Sequence, residues 1–440
     1  MIYILLKLLT RPVHRLFYNR IIVEGKENIP DGGVIFTPNH QNAMMDALAI
    51  INTSGRNPYF LARADFFSKA FFRFLLGLLR TIPVYRKKDG TQSLDKNGEV
   101  FDKASRLLTR NKSLVIFPEA GHNDQNRLQA LRKGFVRVGF KAEEFVGFEK
   151  DIYVVPVGIF YSDITRFRSK IHVRYGKPVS FKNYKELYEK NPHKAYNVVK
   201  SAVAKRIIPM MINIKNQQHH DTFTRIVSIH SENLLSKLGM EKKTERNLFL
   251  SRQKVVYLLN QISERTPEIF DEIKLKVDDY FNDMQRLNYT DKIVRDYYNN
   301  KMKLTLVNLL LLATVPVYIF GFVHNILPYF IPKIIARKKA DIHYKSSYKF
   351  GLGLFTFGLF YALEIVIISF FLSGYYLLGY ATLLPLTGMA AFYWHQSFLK
   401  ARNILRLRKA EKRKTGEVYE MLRKRKEVIS ALDEAMQPYF

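Results

Sequence analysis

The stretch GVIFTPNHQNAMMDALAI at residues 33–50 contains an apolar run, a polar turn and a helical pattern in succession. The run GVIFTP combines β-branched and aromatic residues and ends at a proline, which is typical of a buried strand. The apolar spacing that follows, at about residues 42–53, predicts a helix. His40 therefore falls in a turn at the carboxyl end of a strand, and Asp46 falls within the next helix.

The same alternation of strand and helix extends over residues 21–180. Five runs have the composition of strands: IIVEG, GVIFTP, SLVIFPE, IYVVPVGIFY and IHVRYG. Helical patterns lie between them, at about residues 42–53, 65–79, 92–110 and 128–145. This order predicts an α/β sandwich with a largely parallel sheet.

The rest of the chain divides into four further segments by composition. Residues 1–20 carry apolar and basic residues without an acid, which favours an amphipathic helix on a membrane surface over an ordinary helix docked on the core. Residues 181–300 predict a helical extension, residues 301–399 a membrane region, and residues 400–440 a basic cytoplasmic tail on the lipid surface.

The membrane region contains two long apolar stretches. Residues 304–332 include no charged residue, and residues 351–398 include only Glu364. A carboxyl group within a membrane segment is a functional candidate, but we interpret Glu364 as a hydrogen-bonding residue of a helix hairpin or as a residue in a snorkelling position. About 20 apolar residues span a bilayer. Because basic loops stay cytoplasmic, the basic flanks predict a transmembrane hairpin at 352–396 and a re-entrant segment or short hairpin at 304–331, interrupted by Pro316 and Pro328. The alternative is three separate spans.

Charge and cysteine content restrict the partners. The net charge is +31 and there is no cysteine. The charge implies an anionic partner, and its concentration beside the apolar stretches favours membrane lipid over nucleic acid, for which no motif is present. The lack of cysteine excludes a cysteine thioester on the enzyme.

His40 and Asp46 can together activate a hydroxyl group. A histidine removes the hydroxyl proton during attack, and a carboxylate fixes the imidazole tautomer. Their spacing alone equally fits a histidine at a helix start and a solvated aspartate.

Four short blocks give that pair a context. They are Asn39-His40 with Asp46, Pro83-Val84-Tyr85-Arg86, Phe117-Pro118-Glu119-Ala120-Gly121 and Val155-Pro156-Val157-Gly158. Their order resembles the glycerolipid acyltransferase family, over about residues 20–180. The resemblance implies that His40 is the general base and Asp46 its orienting partner. It also implies a substrate-binding role for the following residues: Arg86, Phe117, Pro118, Glu119, Gly121 and Lys133. Arg63 and Arg132 are further basic candidates, and an alternative for Arg86 is a solvated surface charge.

Two departures narrow the resemblance. Five residues rather than four separate His40 from Asp46, and Ala120-Gly121 replaces the single glycine of the third block. Both features are similar to the yeast-type glycerol-3-phosphate and dihydroxyacetone-phosphate acyltransferases. We therefore expect a membrane-bound enzyme on the cytoplasmic face that transfers a fatty-acyl group from acyl-CoA or acyl carrier protein to glycerol 3-phosphate. No metal or other cofactor is expected. The alternatives are a lysophosphatidate acyltransferase and a catalytically silent membrane scaffold.

Overall fold

The computed structural model describes residues 2–67, 77, 79–85, 91–119, 121, 126–240, 243–299, 304–339 and 341–439. The chain forms two compact units. The first unit comprises Met1–Asn213 with Ile335–Gly351, and the second comprises Ile214–Ile334 with Leu352–Phe440.

The first unit is built on one eight-stranded sheet. Its strands are β1 (Arg20–Glu24), β2 (Gly33–Pro38), β3 (Tyr59–Arg63), β4 (Thr81–Val84), β5 (Ser113–Val115), β6 (Ile152–Tyr161), β7 (Lys170–Tyr175) and β8 (Val179–Ser180). The order is β1-β7-β6-β2-β5-β3-β4, with β8 paired to β6. All neighbours are parallel except that β7 and β8 run antiparallel to β6. The predicted, largely parallel α/β sheet is confirmed.

Helices cover both faces of this sheet because its central strands are apolar on both sides. The helices are α1 (Ile2–Phe17), α2 (Ala43–Thr53), α3 (Thr91–Thr109), α4 (Gly134–Phe145), α5 (Lys185–Lys190) and α6 (Pro192–Ile207). Ile35 of β2 points into one core, with α3, α4 and α6, whereas its neighbours Val34 and Phe36 point into the other, with α1 and α2. This alternation follows from the two-residue period of a strand.

Two predicted boundaries differ from the structure. The first unit extends to about residue 213 rather than 180, because Val199, Val203 and Ile207 of α6 are buried against the sheet. The predicted helix at 128–145 begins only at Gly134. The strands β3 and β4 were not among the predicted strands, since each is short and adjoins an apolar stretch with helical spacing.

The second unit begins with polar helices. They are α7 (His220–His230), α8 (Leu234–Lys237), α9 (Glu245–Arg265), α10 (Pro267–Arg286) and α11 (Asp291–Asn299). The tail helix α16 (Glu417–Met436) belongs with them: its apolar face is buried, and Arg425 Nε donates to Asp291 Oδ1 at 2.7 Å. The tail was expected to lie on the lipid surface, and one face of its helix packs against protein instead.

Four apolar helices complete this unit: α12 (Leu304–Ala313), α13 (Val315–Lys339), α14 (Lys345–Ile368) and α15 (Gly374–Arg413). Among the described residues, three helical segments are long and apolar enough to cross a membrane: Val315–Lys338, Ile342–Ile368 and Gly374–Arg413. Many large apolar side chains of the four helices α12 to α15 are exposed, including Leu312, Phe355 and Leu386. Such a surface is favourable in lipid and costly in water.

The segment 304–331 does not turn back on itself. Only Thr314 separates α12 from α13, and Pro328 and Pro332 lie inside α13. The segment also packs antiparallel to α15 along its length. Leu304 lies beside Ile404, Trp394 Nε1 donates to Leu311 O at 2.9 Å, and Asn325 Nδ2 donates to Leu384 O at 3.3 Å. The structure therefore does not form the short hairpin that was one of the two expectations. It places a helix boundary at Thr314, beside Pro316, whereas Pro328 lies inside α13.

Polar side chains within the apolar helices pair with one another. His324 Nδ1 lies 3.0 Å from Glu364 Oε2, and the Tyr380 hydroxyl lies 3.3 Å from the same oxygen. The Tyr361 hydroxyl donates to Asn325 Oδ1 at 2.6 Å. Glu364 thus takes part in hydrogen bonds between helices, as interpreted from the sequence, and these contacts satisfy groups that would be costly to leave unpaired in lipid.

Candidate active site

Three of the sequence blocks lie at the carboxyl ends of parallel strands, and the fourth lies within a further parallel strand. His40 follows β2, Tyr85 follows β4, Phe117 follows β5, and the fourth block occupies the middle of β6. Carboxyl ends of parallel strands meet at one edge of a sheet, and β2, which lies between β5 and β6, is where the strand order reverses. The crevice at such a reversal is the usual binding position in open α/β sheets.

His40 and Asp46 are in direct contact at this edge. The distance from His40 Nδ1 to Asp46 Oδ2 is 2.9 Å. The imidazole is 15% exposed, whereas the carboxylate is fully buried. With the Nδ1 proton directed to the carboxylate, the ring presents Nε2 as the atom that can accept a proton. This is the arrangement that a general base requires.

The extra residue between His40 and Asp46 is accommodated in the turn. The backbone amides of Gln41 and Asn42 both donate to Asp46 Oδ2, at 2.9 and 2.8 Å. Ala43 has a φ of 38°, in a region that non-glycine residues rarely adopt. The turn therefore curls around the carboxylate, so that Asp46 still reaches His40 over the longer spacing.

Tyr161 holds the other oxygen of the carboxylate. Its hydroxyl donates to Asp46 Oδ1 at 2.6 Å, and the tyrosine is itself buried. Burial and the charge of Asp46 raise the pKa of Tyr161 well above its usual range, so the hydroxyl stays protonated and remains a donor. Asp46 thus accepts four hydrogen bonds, which fix its orientation before substrate arrives.

Tyr161 was missed in the sequence because its partner lies 115 residues away. A signal did exist. β6 runs parallel to β2, and Val157 lies opposite Pro38. The last residues of β6 must therefore reach the edge that carries His40, and a tyrosine there is a natural hydrogen-bond donor.

A ring-stacking contact and the amide group of the neighbouring Asn39 also determine the position of His40. The ring of Phe117 stacks on that of His40, with 3.9 Å between centroids and 24° between planes. Asn39 bonds the backbone of Ile159 twice, accepting from its N–H at 2.7 Å and donating to its carbonyl at 3.0 Å. The third block and β6 therefore both determine where His40 sits.

Glu119 links the first and third blocks. Its Oε1 accepts from the His40 amide at 3.1 Å and its Oε2 from the Gln129 amide at 2.9 Å. Burial raises the pKa of Glu119 to about 7, with the charge of Asp46 adding to the effect and the two amide hydrogen bonds opposing it. Its predicted contact with substrate stays a prediction. The visible role is to tie the loop after β5 to the backbone of His40.

The raised pKa makes the stability contributed by Glu119 depend on pH. The folded protein binds this proton more tightly than the unfolded chain, so the contribution is present at low pH and is lost as pH rises from about 4.5 through about 7. The variant Glu119→Gln is neutral at every pH, but the NH₂ end of its side-chain amide faces a backbone N–H that the carboxylate oxygen accepted from. We expect it to be less stable than the original protein at pH 5, with the difference in unfolding free energy narrowing towards pH 8.

Thermal or denaturant unfolding at pH 5, 6, 7 and 8 measures this narrowing. Glu186→Gln, the same change at an exposed position of α5, is the matched control. A difference between Glu119→Gln and the original protein that stays constant over this pH range contradicts the prediction.

The other predicted site residues have varied surroundings. Arg86 lies outside the described residues, so its predicted phosphate contact stays a prediction. Pro118 is buried, and its carbonyl accepts from the Arg132 amide at 2.8 Å. Lys133 is half-buried at the start of α4, and Gly121 is exposed. Arg63 pairs with Asp65.

Two comparisons with known proteins gave matches. Residues 20–160 match the protein-family model described as Acyltransferase. This part of the chain is therefore an acyltransferase domain, and the resemblance stated from the four blocks is confirmed at that level. Among solved structures, the 1-acyl-sn-glycerophosphate (LPA) acyltransferase PlsC from Thermotoga maritima is similar, with 20% identity and a TM-score of 0.32, covering 44% of this chain and 75% of that one. No curated protein gives a significant match.

Proposed function

We propose that this protein transfers a fatty-acyl group from an acyl thioester to a hydroxyl of glycerol 3-phosphate. The observation that carries the proposal is the 2.9 Å contact between His40 and the buried Asp46, at the carboxyl edge of the sheet of an acyltransferase domain. The choice of glycerol 3-phosphate rests on the lengthened first block and on the Ala120-Gly121 pair of the third.

In the proposed reaction, His40 Nε2 takes the proton of the acceptor hydroxyl as its oxygen attacks the thioester carbonyl carbon. Asp46 stabilises the imidazolium that forms. The tetrahedral intermediate then collapses: the carbon–sulfur bond breaks, and the imidazolium returns its proton to the leaving thiolate. The products are an ester and a free thiol, and His40 is regenerated neutral.

The membrane setting fits a reaction whose product is a lipid. The N-terminal helix α1 exposes Leu5, Leu8 and Leu9 beside the basic residues Lys7 and Arg11. This arrangement is typical of a helix that lies in the headgroup region of an anionic bilayer. The proposed anionic partner is therefore membrane lipid, on the cytoplasmic face, where acyl-CoA and acyl carrier protein are also present.

An acceptor panel tests the proposal. Purified protein in lipid nanodiscs is given acyl-CoA or acyl carrier protein thioester with glycerol 3-phosphate, dihydroxyacetone phosphate or lysophosphatidate, and thiol release and lipid products are measured. We expect lysophosphatidate from glycerol 3-phosphate as the fastest product. Preference for lysophosphatidate as acceptor would favour the lysophosphatidate acyltransferase alternative, and no turnover with any pair would favour a scaffold.

A further inference from the structure

A short segment between two apolar helices belongs to the acyltransferase unit. Residues 341–350, here called the strap, lie after α13 and include the first residues of α14. They lie within Ile335–Gly351, which forms part of the first compact unit. The strap begins with a helical turn at Ile342–Tyr344, capped by Asp341, and continues into the first residues of α14. The sequence suggested only a basic loop here.

The strap contacts the turn that carries His40. His343 is buried, and its Nδ1 lies 2.8 Å from the carbonyl oxygen of Gln41. That carbonyl belongs to the same planar peptide group as the Asn42 amide, which donates to Asp46 at 2.8 Å. One rigid peptide group is therefore held on its two sides, by His343 through the carbonyl and by Asp46 through the N–H.

A second contact joins the strap to the same turn. The Ile164 carbonyl accepts from Ser346 Oγ at 2.5 Å and from Asn42 Nδ2 at 3.1 Å. The strap and the turn thus share one acceptor in the loop after β6. Both Ser346 and Asn42 are buried, so these hydrogen bonds form away from water, where leaving a polar group unpaired is costly.

The end of the strap is fixed in the core. Lys349 Nζ donates to the Thr165 carbonyl at 2.6 Å. The Phe350 ring is buried, with its centroid 5.8 Å from that of Phe17 and 6.4 Å from that of His14. These contacts anchor the strap to α1 and to the loop after β6, so that His343 is not held by its own hydrogen bond alone.

We propose that the strap positions the catalytic turn, with His343 as its positioning residue. The inference rests on the proposed function, because it assigns the strap to the acyl transfer performed by His40. The chain leaves the strap in both directions into apolar helices. The geometry of the turn is thereby linked to the segments that hold the protein in lipid, and turnover depends on contacts made by residues 300 positions beyond the site.

Kinetics of three variants test the role of His343. His343→Phe keeps a ring but removes the hydrogen bond, and it should lower kcat about 3- to 10-fold with little change in KM. His343→Asn places an amide nitrogen where Nδ1 was and should recover most of that loss. His193→Phe, the same change at an exposed position of α6, is the matched control and should leave kcat unchanged. A normal kcat in His343→Phe, or equal impairment in His343→Asn, would overturn the assignment.

Cross-linking tests whether the strap lies against the loop after β6, and it does so without any need for turnover. The native chain has no cysteine. The double variant Thr165→Cys, Lys349→Cys should therefore be joined by a short bifunctional thiol reagent in nanodiscs. The control pair is His193→Cys with Lys349→Cys, which should not be joined. His193 adjoins Tyr196, which packs in the core on the opposite face of the sheet from Phe350.

The two measurements separate the two proposals. Active protein without the 165–349 cross-link refutes the strap and leaves the acyltransferase assignment standing. Cross-linked protein that is inactive with every acceptor refutes the proposed function, and with it the assignment of His343 to catalysis.

Discussion

His40→Ala is expected to lower acyl transfer by about 10²–10⁴-fold, the range that a positioned general base contributes. The loss should fall on kcat, because the base acts as the hydroxyl attacks and not when the acceptor binds. Thiol release from an acyl thioester in the presence of glycerol 3-phosphate measures it. The imidazole contacts Phe117, so part of any effect could come from packing.

Two further variants separate chemistry from packing in that experiment. His40→Gln retains most of the side-chain volume but supplies no base, and it should be as inactive as His40→Ala. His193→Ala, at an exposed position of α6, should be fully active. Turnover within a few-fold of the original protein in His40→Ala would remove His40 from the catalytic role and favour the scaffold alternative.

Asp46→Asn is expected to lower kcat by a comparable factor and also to destabilise the fold. An asparagine cannot stabilise the imidazolium as a carboxylate does. In addition, Asp46 receives four hydrogen bonds, from His40, Gln41, Asn42 and Tyr161. An amide NH₂ group in place of either oxygen faces a donor, and such a buried mismatch costs about 1–3 kcal/mol.

Activity and unfolding free energy should be measured together on Asp46→Asn. Tyr161→Phe is the graded comparison, because it removes one of the four hydrogen bonds and leaves the carboxylate in place; its loss of activity should be much smaller. Asp46→Asn with original stability and activity would mean that the buried carboxylate neither orients His40 nor holds the turn.

The sequence was sufficient for the central strand–turn–helix and for the class of fold. Residues 33–38 form a continuous apolar run and residues 42–53 have helical spacing, and the structure places β2 and α2 there. The short strands β3 and β4 could not be recognised in the same way. β4 has only four residues, and both strands are stabilised by pairing with neighbours that are distant in sequence.

The candidate site was predictable only where its residues lie within the motifs. His40 and Asp46 lie six residues apart in one strand–turn–helix, and the order of the four blocks indicated that they act together. Tyr161 and His343 reach the same turn through tertiary packing, over separations of 115 and 302 residues. No local pattern marks either residue. The position of the strap in particular depends on how a loop between two apolar helices folds back, which neither charge nor hydropathy indicates.

The strap has a consequence for how the chain meets a bilayer. Because residues 341–350 are part of the acyltransferase unit, they lie on its side of the membrane. α13 ends just before the strap and α14 begins within it, so the chain approaches and leaves the lipid at this point from the side that carries His40.

Single cysteines at Asp341 and at Glu186, both in the first compact unit, should then be labelled by an impermeant reagent from the same side of sealed vesicles. Labelling from opposite sides would contradict this placement. The strap would thereby keep the turn that carries His40 at the membrane surface, where a lipid product can leave directly into the bilayer.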